Sequence, residues 1–184
     1  MSMVSPQLVL PVSARDHVAG PATAPVTLLE YGDYECPACG AAYPIVQQVR
    51  QRFGKRLRFV FRHFPLANVH PHAEPAAEAA EAAGAQGRFW EMHDLLYERQ
   101  DALEEEDLVE RAEILGLDLA RFVRELSART YAPRVQEDFM SGVRSGVNGT
   151  PAFYINGIRY DGGYDFPALV EAVGLVRETR PRAV

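Results

Sequence analysis

Strand-like segments occur in only two regions of the sequence, and a long helical stretch separates them. Residues 26–31 and 57–64 have the apolar or alternating pattern of β-strands, and residues 152–155 show it again. Between these regions, residues 71–145 show only helical periodicity, in alanine-rich and amphipathic stretches. Because short strands are stable only within a sheet, we predict that the two β regions join and that the middle is an insertion.

The connections between the strands refine this prediction. A helix is expected from Cys36 to Phe53, with Pro37 in its first turn, where the missing N–H costs nothing. Asn156-Gly157 favours a tight hairpin turn, and a last helix is expected from residue 166 to about residue 178. The order is therefore βαβ, a helical block and ββα, which is an α/β fold with one mixed sheet.

The sequence predicts three parts. Residues 1–24 contain several prolines and are expected to be an irregular N-terminal arm. Residues 25–65 and 147–180 are predicted to form one discontinuous sheet domain, and residues 66–146 a helical insertion domain.

Composition and charge exclude several functions. The formal net charge is −6, and the arginines are scattered along the chain, which argues against nucleic-acid binding. No apolar run approaches the roughly 18 to 20 residues of a membrane helix, so no membrane insertion is predicted. Residues 1–18 lack the pattern of a secretory signal, which favours a cytoplasmic protein; a periplasmic or extracytoplasmic location is the alternative if a native signal has been removed. We expect a monomer.

The only two cysteines form the segment Cys36-Pro37-Ala38-Cys39 at the predicted start of the first helix. Two cysteines are too few for a disulfide framework or a four-thiolate zinc site, so we predict a redox-active pair and no metal site. Cys36 is expected to be exposed at the amino end of the helix, where the helix dipole lowers the pKa of its thiol below about 8.5. Cys39 is expected to lie one turn further on, partly covered.

Three histidines are candidates for metal binding but fit a structural role better. His70 precedes Pro71 at the start of the helical block, and His63 and His72 lie nearby in the sequence. We predict that they pack or begin a helix.

These features resemble the DsbA-like thiol–disulfide oxidoreductases, in which a helical domain interrupts a thioredoxin domain. The resemblance covers about residues 24–180. It rests on the segments Glu30-Tyr31-Gly32-Asp33-Tyr34-Glu35-Cys36-Pro37-Ala38-Cys39, His70-Pro71, Phe89-Trp90-Glu91-Met92-His93-Asp94 and Gly149-Thr150-Pro151-Ala152-Phe153. It implies a thioredoxin-like fold (βαβ…ββα mixed sheet) interrupted by an all-helical insertion, and a protein disulfide oxidoreductase.

The resemblance also implies how the cysteines act. Cys36 would be the nucleophile that forms a mixed disulfide, and Cys39 the thiol that resolves it. Because the electrons reside in the cysteine pair, no diffusible cofactor is implied. The implied partners are protein or peptide thiols and disulfides, together with an unidentified redox partner.

Other site residues follow from the same resemblance. Pro151 after Thr150 matches a cis-proline that faces the disulfide and leaves the backbone free to pair with an extended substrate. Pro37 and Ala38 are expected to contact substrate as well. Glu30 matches a buried acid that helps move the proton of Cys39; the alternative is a partly solvated carboxylate at the strand end.

The segment between the cysteines departs from the most oxidising relatives, which carry a histidine where this chain has Pro37-Ala38. The thiolate loses one stabilising partner, which predicts a less oxidising disulfide. Glu35 is expected to be exposed, with a charge that opposes the thiolate.

Two other functions stay open. One is a glutathione-dependent isomerase or transferase of the same fold, although such relatives have serine at the first cysteine position and lack the second cysteine. The other is a non-catalytic peptide-binding or chaperone module.

Overall fold

The computed structural model describes residues 6–178, and within them the chain forms five strands and seven α-helices. The strands are β1 (His17–Ala19), β2 (Val26–Gly32), β3 (Leu57–His63), β4 (Ala152–Ile155) and β5 (Ile158–Tyr160). The helices are α1 (Pro37–Phe53), α2 (Ala73–Gly84), α3 (Phe89–Glu98), α4 (Glu105–Ile114), α5 (Leu119–Ser127), α6 (Ala132–Arg144) and α7 (Phe166–Glu178). None of the helices in this part of the chain has the length and apolar character needed to cross a bilayer.

The strands form one sheet in the order β1-β3-β2-β4-β5. β2 lies beside β3 and pairs antiparallel with β4, so the two β regions of the sequence do join, as predicted. The predicted hairpin turn is also present: Asn156 and Gly157 have φ values of 48° and 82°, in the left-handed region that this type of turn requires. The mixed α/β fold predicted from the sequence is confirmed.

Strand β1 was not predicted, because residues 1–24 were expected to be irregular. Its three residues pair antiparallel with Phe59, Val60 and Phe61 of β3. A three-residue strand is too short to show a sequence period, and its hydrogen bonds come from a segment some 40 residues away along the chain. Only the tertiary structure identifies it.

A buried arginine holds the N-terminal segment against the sheet. The Arg62 side chain is 1% exposed and donates to both carboxylate oxygens of Asp16, at 2.7 and 3.1 Å. It also donates to the carbonyls of Leu10 and Pro11 and to the Tyr31 hydroxyl. Burial alone would lower the pKa of this guanidinium, but its hydrogen bonds to Asp16 and Tyr31, together with the charges of these residues, outweigh burial and raise the pKa above its usual range.

The helices between residues 63 and 140 pack around α2. Seven of its alanines are buried, and its two buried glutamates are each paired with a basic side chain. Glu78 accepts hydrogen bonds from Arg129, and Glu81 Oε1 lies 2.8 Å from His63 Nε2. The small alanine side chains let neighbouring helices approach closely, and the paired carboxylates avoid the cost of an isolated buried charge. Asp118 caps the amino end of α5, since its carboxylate accepts from Arg121 N at 2.9 Å.

The chain divides into two compact units at points that differ from the predicted domain bounds. Within the described residues, one unit contains residues 6–31, Ala41–Arg62 and residues 141–178. The other contains His63–Met140 together with Gly32–Gly40. The cysteine segment therefore belongs to the same unit as the helical block, although the sequence placed it in the sheet domain.

Replacing Arg62 with alanine is expected to lower the free energy of unfolding by about 3–5 kcal/mol, because it leaves the Asp16 carboxylate buried without its cation. Urea unfolding followed by circular dichroism measures this change. Arg88→Ala is the matched control, since Arg88 forms an exposed ion pair with Glu91 and its loss should cost at most about 1 kcal/mol. Equal losses in the two variants would contradict the prediction.

Candidate active site

The thiols of Cys36 and Cys39 both lie at the amino end of α1. Cys36 immediately precedes the helix, and its carbonyl accepts the hydrogen bond from Gly40 N at 3.0 Å. Cys36 is only 6% exposed and Cys39 is 0% exposed, so the expectation of an exposed Cys36 is wrong. Of the two thiols, Cys36 is still the more accessible.

Asp33 organises the turn that precedes the cysteines. Its carboxylate is buried and accepts from the backbone N–H groups of Glu35 and Leu66, both at 2.8 Å. His70 Nδ1 lies 2.8 Å from Asp33 Oδ2 and donates to it, and the Asp33 carbonyl accepts from Cys36 N at 3.2 Å. One acidic residue therefore joins His70 to the backbone that leads into the first cysteine.

The imidazole of His70 carries an electrostatic link to Cys36. Partial burial lowers the pKa of His70, but the hydrogen bond and charge of Asp33 outweigh burial, and the charges of Cys36 and Glu35 add to them. The pKa of His70 is consequently raised above its usual value. The charge of Cys36 is thus one of the causes that raise the pKa of His70.

Glu35 is bound by His72 and is not exposed as predicted. Its side chain is 19% exposed and accepts from His72 N at 2.6 Å and from His72 Nδ1 at 2.9 Å. The other ring nitrogen of His72 lies 3.2 Å from Glu104. The hydrogen bond with Glu35 is the main cause that raises the pKa of His72, and a protonated His72 offsets the Glu35 charge next to Cys36.

Tyr34 anchors the same turn in an aromatic cluster. Its side chain is 1% exposed, and its hydroxyl lies 3.0 Å from His93 Nδ1. The rings of Tyr97 and His63 lie with centroids 4.9 and 5.9 Å from that of Tyr34. The large apolar and aromatic area around Tyr34 fixes the chain two residues before Cys36.

Gln100 is a contact residue that the sequence did not identify. It follows α3, and its side-chain nitrogen donates to the carbonyls of Tyr34 and Cys36, at 2.8 and 2.9 Å. A lone glutamine in a turn carries no sequence signal, because the carbonyls that it binds lie more than 60 residues away along the chain.

The remaining predicted residues lie in the sheet unit or beside the cysteines. Glu30 is 2% exposed in β2, opposite Phe153 of β4, so the partly solvated alternative is wrong and its burial is confirmed. The Thr150–Pro151 peptide bond is cis and precedes β4. Pro37 is exposed, and Ala38 is half-buried. The catalytic and substrate-binding roles of these residues stay predictions.

The three histidines singled out in the sequence all contact acidic side chains. His63, His70 and His72 each bind a carboxylate within the helical unit, and the residue after His72 begins α2. The sequence suggested packing but gave no reason to expect that two of these imidazoles pair with acids on either side of Tyr34.

Three comparisons place this chain among known proteins. A family model described as thioredoxin matches residues 13–174. The Na(+)/H(+) antiporter NhaA 1 of Salinispora arenicola is 53% identical over 167 residues, which cover 90% of this chain and 26% of the antiporter. A protein of the same name from Mycobacterium sp. is 43% identical over 90% of this chain and 28% of its own length. The chain thus spans about a quarter of the length of these curated relatives.

Solved structures resemble this chain over nearly its whole length. BdbD from Bacillus subtilis superimposes with a TM-score of 0.83 and 25% identity, covering 95% of this chain and 98% of BdbD. A thioredoxin-like oxidoreductase from Silicibacter pomeroyi superimposes with a TM-score of 0.80 and 27% identity, covering 91% of this chain and 95% of its own. The Wolbachia pipientis protein α-DsbA1 shares the fold, with a TM-score of 0.74 and 19% identity over 93% of each chain.

The Asp33–His70 pair predicts a pH-dependent stability. Because the pKa of His70 is raised on folding, its contribution is fully present below about 6.5, the unfolded value, and is lost as the pH rises through the folded value. His70→Gln should therefore lower the free energy of unfolding more at about pH 5.5 than at about pH 9. Urea unfolding of both proteins across this range tests it. A difference that does not change with pH would contradict the prediction.

Proposed function

We propose, because this chain belongs to the thioredoxin family and has a DsbA-like fold, that it is a thiol–disulfide oxidoreductase acting through Cys36 and Cys39. The observation that carries the proposal is the pair of cysteine thiols at the start of α1, of which Cys36 is the less buried. A thiolate at the amino end of a helix is stabilised by the helix dipole, which favours Cys36 as the nucleophile.

The reaction is a reversible exchange of one disulfide. The Cys36 thiolate attacks one sulfur of a substrate disulfide, the substrate S–S bond breaks, and the other substrate sulfur leaves as a thiolate. Cys39, after losing its proton, attacks Cys36 Sγ and releases the first substrate sulfur as the second thiolate. Two electrons pass from the cysteine pair to the substrate, and the Cys36–Cys39 disulfide forms. The reverse steps oxidise a substrate dithiol.

His70 supports the first step. Asp33 holds its imidazole beside the backbone that leads into Cys36, and the charge interaction between His70 and Cys36 favours a thiolate when His70 is protonated. We propose that His70 supplies the cationic partner that the Pro37-Ala38 dipeptide lacks. His70 would therefore partly restore the stabilisation of the Cys36 thiolate that a histidine between the cysteines provides.

The substrate-binding and proton-transfer roles are part of the same proposal. The half-buried positions of Thr150 and Pro151 directly before β4 support a role of their backbone in binding an extended peptide. The exposure of Pro37 supports contact with substrate. The burial of Glu30 meets the condition for an acid that moves the proton of Cys39, because a desolvated carboxylate accepts a proton more readily.

The antiporter relatives suggest a class of partner. A segment 53% identical to this chain occurs within a polypeptide named as a sodium/proton antiporter. Two sequences found within one polypeptide in a relative can act together as separate chains, so we propose a membrane transporter of this class as a partner of the redox pair. A Cys39→Ala variant should trap such a transporter as a Cys36 mixed disulfide in membranes that contain it. A transporter that lacks its cysteines is the control, and equal recovery of both would contradict this partner.

Disulfide turnover should require both cysteines, but in different ways. Cys36→Ser should abolish the reduction of insulin by dithiothreitol through this protein, because no nucleophile is left. Cys39→Ser should also lose turnover but should accumulate a mixed disulfide, since the resolving thiol is absent. Turbidity measures turnover, and non-reducing electrophoresis detects the adduct. Full turnover by Cys36→Ser, or peptide holding without any turnover in the wild type, would overturn the proposal and favour the peptide-binding alternative.

Alkylation of Cys36 should have a pH midpoint below about 8.5, the value of a free thiol. His70→Gln should raise that midpoint, because the variant removes a cation that favours the thiolate. Iodoacetamide rates measured from about pH 4 to pH 10 in a Cys39→Ala background isolate Cys36. Arg88→Ala, an exposed change on the same compact unit, should leave the midpoint unchanged. A wild-type midpoint at or above the free-thiol value would contradict the activated thiolate.

A further inference from the structure

We propose that Gln100 is a positioning residue that holds Cys36 at the positive end of α1 and thereby sets the reactivity of its thiol. The proposal deepens the proposed function and rests on it for its biological meaning. The geometry that supports it lies wholly within the compact unit formed by residues 32–40 and 63–140.

The amide of Gln100 binds the backbone on both sides of the nucleophile. Its Nε2 donates to the Tyr34 carbonyl at 2.8 Å and to the Cys36 carbonyl at 2.9 Å. The Tyr34 carbonyl belongs to the residue two positions before Cys36, and the Cys36 carbonyl lies in the peptide bond that directly follows its Cα. An amide nitrogen has two hydrogens, so both bonds form at once. One side chain therefore fixes the turn around Cys36.

The Cys36 carbonyl is also the first acceptor of α1. It accepts from Gly40 N at 3.0 Å, which begins the hydrogen-bonded turn of the helix. A second donor on this oxygen holds Cys36 in the position that precedes the helix, where the unpaired N–H groups and the dipole favour negative charge. The effect falls off within the first turn, so a small displacement of Cys36 weakens it.

Gly40 provides the space that the Gln100 amide occupies. A Cβ placed on Gly40 would lie 1.9 Å from Gln100 Oε1 and 2.6 Å from Gln100 Cδ. The three atoms nearest to that Cβ all belong to Gln100. The glycine inside α1 costs helix stability relative to alanine, and the close approach of Gln100 gives a physical reason for it.

The other contacts of the turn cannot replace this one. Asp33 and Glu35 hold the turn through their carboxylates, and Tyr34 through its ring. Gln100, in contrast, binds the Cys36 backbone carbonyl directly through its side-chain amide. Its loss should therefore change the ionisation of Cys36 and not only the stability of the fold.

The test is the pH midpoint of Cys36 alkylation in the full chain, in a Cys39→Ala background. Gln100→Ala should raise the midpoint by about 0.5 units, which lowers the reactive thiolate fraction at about pH 7 roughly threefold. Gln100→Glu should raise it further, because a carboxylate cannot donate to either carbonyl and adds a negative charge near Cys36.

Gln86 offers a matched control in the same unit. It is half-buried like Gln100 and joins two segments by bonding the Asp118 carbonyl and N–H, at 3.3 and 2.8 Å. Gln86→Ala should lower the thermal midpoint but leave the alkylation midpoint of Cys36 unchanged. If Gln100→Ala behaves in the same way, Gln100 is only structural and the proposal is overturned.

A second variant tests the mechanism without removing Gln100. Gly40→Ala should displace the amide and raise the alkylation midpoint about as much as Gln100→Ala does. In a Gln100→Ala background, Gly40→Ala should cause no further shift of the alkylation midpoint, because the Gln100 amide that its Cβ would contact is absent. Additive shifts in the double variant would mean that Gly40 acts independently of Gln100 and would overturn the proposal. Circular dichroism shows whether each variant is folded.

The outcomes separate this proposal from the proposed function. Alkylation of Cys36 requires no substrate, so the shift caused by Gln100→Ala is measured even if the wild type turns over no disulfide. Absent turnover in the wild type would reject the oxidoreductase and leave the role of Gln100 in Cys36 ionisation standing. Normal turnover with an unshifted midpoint in the Gln100 variants would reject the positioning role alone.

Discussion

The geometry of the site depends on hydrogen bonds that residues 63–140 make to the short segment that carries the cysteines. Asp33 is bound by Leu66 N and His70, Glu35 by His72, and the carbonyls of Tyr34 and Cys36 by Gln100. Consecutive residues of the segment are thus fixed by hydrogen bonds from separate places in the helical block. Such multiple attachment gives a nucleophile a defined position, which is what efficient exchange between two thiols requires.

The same contacts change the electrostatic interpretation of the site. From the sequence, an exposed Glu35 and the Pro37-Ala38 dipeptide both argued for a weakly stabilised thiolate. In the structure Glu35 is paired with His72, and His70 has a favourable charge interaction with Cys36. The prediction of a less oxidising pair is still untested, and the imidazole of His70 acts against it.

The fold was largely predictable because its determinants are local. The apolar run of β2, the Asn156-Gly157 turn and the Asp118 cap each specify their backbone conformation within a few residues, and all are present. The unpredicted strand β1 and the buried Arg62 anchor depend on partners far away along the chain. The assignment of the cysteine segment to the helical unit is of the same kind, since it follows from long-range hydrogen bonds.

The sequence by itself determined the order βαβ, helical block and ββα, the position of the cysteine pair at the start of a helix, and hence the kind of chemistry that we propose. Periodicity, turn residues and the spacing of two cysteines are encoded in neighbouring residues. The tertiary structure alone decided how far Cys36 is covered, which imidazoles pair with Asp33 and Glu35, and that Gln100 binds the Cys36 carbonyl. Those features require side chains from distant segments to meet, and no local pattern records such a meeting.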